Sequence, residues 1–89
     1  TLRNLTICSF HEIEALPDSF RNLSSLEHLS IWLCDKLMYL PSVDVMRSLS
    51  KLEIILILDC PLLETRCERE SGPEWSKISH IPHVSINDW

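Results

Sequence analysis

The stretch from Leu26 to Pro41 reads LEHLSIWLCDKLMYLP, and its apolar residues follow neither the helical nor the strand period. The gaps between them run three, two, three, three and three. A helix buries residues three and four apart, whereas a half-buried strand buries every second residue. A short strand followed by a chain that keeps turning back to one interior would bury all six side chains, which are Leu26, Leu29, Ile31, Cys34, Leu37 and Leu40.

The same spacing recurs along the chain. The first copy is formed by Leu2, Leu5, Ile7, Phe10, Ile13, Leu16 and Pro17, and the third by Leu52, Ile55, Ile57, Cys60 and Leu63. A fourth, shorter copy is formed by Ile81, Val84, Ile86 and Trp89. The copies start at positions 2, 26, 52 and 81, so the periods are 24, 26 and 29 residues. Leucine-rich repeats have periods of 20 to 29 residues.

The repeat predicts an α/β fold, a leucine-rich-repeat solenoid in the form of a partial horseshoe. Its concave face should be a short parallel sheet, and its convex side irregular or built from short helices. Residues 1–63 are predicted to form about two and a half repeats of an array truncated at its N-terminus. Residues 64–89 are predicted to form a C-terminal cap, with a short helix in PEWSKIS and a last strand in HVSIN.

Composition excludes several functions. The 89 residues suffice for one small domain, 45% of them are apolar, and the net charge of −5 comes without a basic cluster. Nucleic-acid binding and membrane binding are therefore not expected. No phosphate-binding loop, nucleophile elbow or pair of catalytic carboxylates is present, so the sequence predicts neither an enzyme nor a small-molecule substrate.

The cysteines have a structural interpretation. Cys34 and Cys60 occupy the same repeat position, where a small buried thiol fills space and bonds weakly to the turn backbone. Cys8 falls two places earlier in its repeat and should point outward. Cys60 and Cys67 are too far apart, and His80 and His83 too close, for a typical zinc finger, so no metal site is predicted.

The pattern resembles a known family. LEHLSIWLCDKLMYLP is similar to the motif LxxLxIxxCxxLxxLP of the cytoplasmic leucine-rich repeats in plant disease resistance proteins. The segment from Asp59 to Ile86 resembles the C-terminus of the coiled-coil, nucleotide-binding, leucine-rich-repeat (NBS-LRR) members, although Pro73 departs from their pattern. The residues at matching places are Cys60, Pro61, Leu63, Arg66, Cys67, Trp75, Ile78, His80, Ile81, Pro82 and Ile86.

The resemblance implies a protein-binding and regulatory module of an intracellular, cytoplasmic receptor of plant innate immunity. Its partner would be a pathogen effector, a guarded host protein or the receptor's own switch domain. ADP or ATP would bind only to a domain upstream, and the residues of this chain predict no cofactor.

Two alternatives stay open. The sequons at Asn4 and Asn22 favour a fragment of an extracellular leucine-rich-repeat receptor. Against it, EALP and MYLP lack the Gly-Ile-Pro that is usual in extracellular plant repeats. The other alternative is a substrate-recognition module of a ubiquitin ligase.

The candidate binding surface is the concave face of the predicted sheet. Alternate strand residues should form two outward columns there, Thr6, Ser30, Leu56 and Ser85 in one, and Cys8, Trp32, Leu58 and Asn87 in the other. We expect Trp32, Leu56 and Leu58 to lie together in the open as an apolar patch. Such patches mark interaction sites, so the patch would bind a partner protein or a neighbouring domain of the same receptor.

Overall fold

Strands and short helices alternate along the chain. The computed structural model describes residues 2–87, so Trp89, the last predicted repeat position, lies outside the described residues. The strands are β1 (Asn4–Cys8), β2 (His28–Trp32), β3 (Ile54–Leu58) and β4 (His83–Ile86). The helices are α1 (Val43–Ser48), α2 (Pro61–Arg66) and α3 (Trp75–Ile78), with a 3-10 helix at Asp18–Asn22.

The strands form one parallel sheet in the order β1-β2-β3-β4, so each strand pairs with its neighbours in sequence. Its register aligns Leu5, Leu29, Ile55 and Val84 in one row, and Ile7, Ile31, Ile57 and Ile86 in the next but one. These are the rows that the repeat spacing predicts. A slip of one residue in β1, β2 or β4 would turn its apolar pair to solvent and bury polar neighbours, and this fixes the register of these strands. Strand β3 is apolar at every position, so its register follows from its neighbours.

The core lies between one face of the sheet and the segments that connect the strands. Leu29, Ile31, Ile55 and Ile57 are fully buried on the sheet side. The connecting segments contribute further fully buried side chains, which include Leu26, Leu37, Met46, Leu49, Leu63 and Ile78. Each such side chain contributes about 1.5–3 kcal/mol relative to an exposed position.

A left-handed residue follows each of the first three strands. Ser9, Leu33 and Asp59 occupy the same register position and have φ angles of 61°, 54° and 53°. The amide of Ser9 donates to the carbonyl of Trp32, and that of Leu33 to the carbonyl of Leu58, both at 3.0 Å. The left-handed residue therefore bends the chain toward the core directly after the last strand residue.

Buried thiols stabilise the same turns. The Cys34 Sγ donates to the Trp32 carbonyl at 3.3 Å, and the Cys60 Sγ donates to the Leu58 carbonyl at 3.3 Å. Both side chains are fully buried, as their shared repeat position predicts. Burial raises the pKa of the Cys60 thiol to about 11, so this thiol stays protonated.

Helix α2 is absent from the sequence prediction, which placed the helix of the cap in PEWSKIS alone. Pro61 stands at its first position, where the missing N–H costs nothing. The Glu64 carboxylate accepts the amide of Cys60 at 2.8 Å and so caps the helix. Since α2 runs from Pro61 to Arg66, the predicted boundary between residues 63 and 64 falls inside a helix.

The first copy of the repeat, residues 2–17, differs from the predicted pattern in the burial of its side chains. Phe10 occupies the repeat position of the buried Cys34, yet it is 55% exposed, and Leu2 is 45% exposed. Strand β1 pairs with β2 alone among the described residues, so no neighbouring turn covers this end of the core. The repeat gives the position of Phe10 correctly but not its burial.

Within residues 2–87, every helix is too short to cross a membrane.

Candidate protein-interaction face

The outward side of the sheet carries seven of the eight residues in the two predicted columns. They include the six that were predicted to bind a partner, which are Thr6, Cys8, Ser30, Trp32, Leu56 and Leu58. We call this surface the strand face and define it by the outward positions of the four strands. These are Asn4, Thr6, Cys8, His28, Ser30, Trp32, Ile54, Leu56, Leu58, His83 and Ser85. Asn87 was predicted to end one column, but it follows β4 in a left-handed conformation and donates its amide to Ile57.

The centre of the strand face is apolar. The register places Ser30 beside Leu56 and Trp32 beside Leu58. Trp32 and Leu56 are half-buried and so keep surface that a partner can contact. The Trp32 indole can therefore act as an anchor for a partner protein, since tryptophan is enriched among the residues that dominate binding energy.

Leu58 corrects the prediction that three apolar residues lie open. It is only 3% exposed, although it belongs to the outward column and lies outside the core cluster. Adjacent strands are about 4.8 Å apart, so the large Trp32 side chain beside it accounts for this burial. Leu58 therefore offers almost no surface to a partner.

One flank of the strand face is open and carries a reactive group. Thr6 and Cys8 are exposed on β1, and the Cys8 thiol lies 3.4 Å from the Ser9 hydroxyl. The other three cysteines, Cys34, Cys60 and Cys67, are buried. Reagents that modify thiols in the folded protein should therefore act at Cys8, which marks the strand face.

The strand face contains no carboxylate, ammonium or guanidinium group. All of its eleven positions avoid Asp, Glu, Lys and Arg, although these residues make up 24% of the chain. The ends of the strands instead carry an ion pair, Arg3 with Glu27 at 3.6 Å, and a hydrogen bond between the His11 Nδ1 and the Asp35 carboxylate at 3.0 Å. Covering this face therefore requires no desolvation of permanent charge, which is otherwise expensive.

Surface depressions lie mostly outside the strand face, although one of about 430 Å³ reaches its edge at His83 and Ser85. One of about 600 Å³ is lined at the amino ends of the strands by Glu27, Lys51, Glu53 and His80, among others, and none of its lining residues belongs to the strand face. Within residues 2–87, no three His, Cys, Asp or Glu side chains are grouped so as to hold a metal ion. The candidate site is thus a broad surface and not a cleft.

Comparison with known proteins gives short local similarities. The chain is 50% identical over 28 residues, 32% of its length, to RGA4 of Solanum bulbocastanum, which is named as a disease resistance protein. It is 48% identical over 27 residues, 30% of its length, to RGA1 of the same species, named likewise. Each match spans 3% of the relative's length. No family model matches the chain, and no solved structure matches it significantly.

Proposed function

We propose that this chain is a leucine-rich-repeat module of an intracellular plant immune receptor, and that its strand face binds protein. The sequential parallel sheet, the periods of 24, 26 and 29 residues and the buried cysteines of the turns support the repeat solenoid. The local similarity to proteins named as disease resistance proteins supports the role in plant defence.

The observation that carries the binding function is the composition of the strand face. Its centre is Trp32 with Leu56, both half-buried, and no permanent charge surrounds them. The centres of protein interfaces are likewise depleted of charge and enriched in aromatic residues. The partner is a pathogen effector, a guarded host protein or the receptor's own switch domain, and it presents an uncharged, apolar surface.

The test is a matched pair of aromatic substitutions in the full-length receptor. Trp32→Ala removes the anchor of the strand face. Tyr39→Ala removes an aromatic residue that is 40% exposed on the connecting side, which is the side formed by the segments that connect the strands. Trp32→Ala should abolish the response to the effector or cause activity without it, while Tyr39→Ala leaves the response unchanged. Circular dichroism of the purified chain checks that both variants fold.

Two outcomes contradict the proposal. One is that Trp32→Ala unfolds the chain, which would make Trp32 a core residue. The other is that the two variants signal alike.

Cys8 provides an independent test that needs no substitution. A bulky maleimide on Cys8 should block a partner that covers the strand face, whereas methylthiolation of the same thiol should be tolerated. Binding that survives the bulky label in a pull-down with an identified partner would place the contact elsewhere on the molecule.

A further inference from the structure

A second, much shorter ladder lies on the connecting side of the molecule. Ala15 and Tyr39 form a parallel bridge there. The Tyr39 amide donates to the Glu14 carbonyl at 3.1 Å, and the Tyr39 carbonyl accepts the amide of Leu16 at 3.0 Å. The N–H and the C=O of Tyr39 thus both bond to the segment of residues 14–16, which lies between β1 and β2.

Leu40 has the opposite orientation. In a parallel ladder, successive residues direct their N–H and C=O groups to opposite neighbours. The backbone groups of Leu40 therefore point to where a third strand of this ladder would lie. The repeat spacing of 26 residues would supply that strand near Thr65, but residues 61–66 form helix α2 instead.

Two side chains of the cap take the place of that strand. The Glu74 Oε1 accepts the Leu40 amide at 2.7 Å, and the Lys77 Nζ donates to the Leu40 carbonyl at 3.0 Å. The same two atoms bond to each other at 2.9 Å. The Glu74 side chain is 5% exposed and that of Lys77 is 17% exposed, so water replaces neither bond readily.

We propose that Glu74 and Lys77 imitate the edge of a third strand and so end the ladder on the connecting side. The carboxylate takes the place of a backbone carbonyl, and the ammonium takes the place of a backbone N–H. Since a buried backbone group without a partner is costly, the pair makes it possible for Leu40 to be covered by a helix. The pair also holds α3 against the segment that connects β2 to β3, because Leu40 lies in that segment.

An ordinary buried ion pair is the competing explanation, and the two differ in a measurable way. Replacing both members of such a pair with apolar residues is often neutral. A strand substitute cannot be replaced in this way, because the amide and carbonyl of Leu40 would lose their partners. The exchange rate of the Leu40 amide with solvent deuterium reports this directly.

The experiment compares Glu74→Gln with the double variant Glu74→Leu/Lys77→Met by hydrogen exchange of the 89-residue chain. Glu74→Gln removes the ion pair but keeps an oxygen for the Leu40 amide, so exchange there should stay within threefold of wild type. The double variant leaves no orphan charge, yet Leu40 should exchange at least tenfold faster. The Leu33 amide, bonded within the main sheet, is the control for global opening.

The proposal is overturned if the double variant protects Leu40 as wild type does. It is also overturned if Glu74→Gln accelerates exchange at Leu40 more than tenfold while Leu33 is unchanged, since the charge and not the acceptor oxygen would then matter. Should the double variant fail to fold, the exchange rate of the Leu40 amide in Glu74→Gln still tests the proposal. A rate within threefold of wild type supports it, and an acceleration above tenfold with Leu33 unchanged overturns it.

Discussion

Leu33, which directly follows β2, has an unfavourable backbone conformation. It adopts φ 54°, a left-handed conformation that costs an L-residue about 1–2 kcal/mol. The equivalent positions carry Ser9 and Asp59, and Asp is among the residues that tolerate this region best. Leucine is the least suited of the three, and its side chain is 42% exposed.

Leu33→Asn should therefore stabilise the protein. We expect the free energy of unfolding to rise by about 0.5 kcal/mol, because the relief of backbone strain, about 1–2 kcal/mol, exceeds the loss from removing a partly covered leucine side chain. Urea denaturation measures the change. Leu2→Asn is the matched control, since Leu2 is 45% exposed and has no positive φ. Equal shifts in both variants would show that the gain comes from removing a surface leucine.

The burial of Leu58 and that of Phe10 were predicted wrongly for the same reason. Alternation along a strand predicts the face of Leu58, and the repeat predicts the position of Phe10, and both assignments are correct. Burial depends in addition on what lies beside the residue. Leu58 is covered because Trp32 is its register partner, and Phe10 is open because β1 is an edge strand of the described sheet.

At the scale of an element, the turn before α3 depends on Gly72. A Cβ there would lie 2.5 Å from the amide nitrogen of Glu68 and closer still to the carbonyl oxygen of Arg66. Both are backbone atoms, which cannot rotate away. The same turn brings the Glu74 amide to the Arg66 carbonyl at 2.8 Å and so positions Glu74 for Leu40.

Gly72→Ala should lower the free energy of unfolding by about 2–3 kcal/mol, since overpacking against backbone forces the turn to move. Ser71→Ala changes an exposed neighbour and should stay within about 0.5 kcal/mol of wild type. Urea denaturation of the three proteins makes the comparison. A Gly72→Ala protein as stable as the serine variant would mean that the turn has room to adjust.

The elements themselves were predictable to different degrees. The strands and their pairing follow from the two-residue gap within each repeat, because only one register buries every apolar pair. The short helix α3 follows from Pro and Glu before Trp75. Helix α2 was missed because the repeat spacing suggested an extended third copy, whereas Pro61 and the capping carboxylate of Glu64 start a helix.

For the molecule as a whole, two buried thiols make the stability depend on pH in alkaline solution. Burial raises the pKa of Cys60 to about 11 and that of Cys67 to about 12, from an ordinary value of 9.0. Between pH 9 and pH 11 the unfolded chain therefore loses protons that the folded chain keeps. The free energy of unfolding should be unaffected by these thiols below pH 9 and should fall as the pH rises above it.

We expect each of the two thiols to contribute a loss on the order of 2 kcal/mol between pH 9 and pH 11, so that the loss for both is about 4 kcal/mol. Urea denaturation at several pH values measures the slope. Cys67→Ala should make the slope shallower, even if the variant is less stable at every pH. An identical slope in Cys67→Ala and wild type would rule out this thiol as a source of alkaline instability.

The alternation of the strands separates two kinds of selection. Inward residues such as Ile31 hold the chain together, while their neighbours Ser30 and Trp32 face away from the core. Under the proposed function, mutations at the exposed outward positions, such as Thr6, would change the surface offered to a partner at little cost in stability. If the strand face binds a partner as proposed, the outward residues could diversify over generations while the inward residues stay fixed.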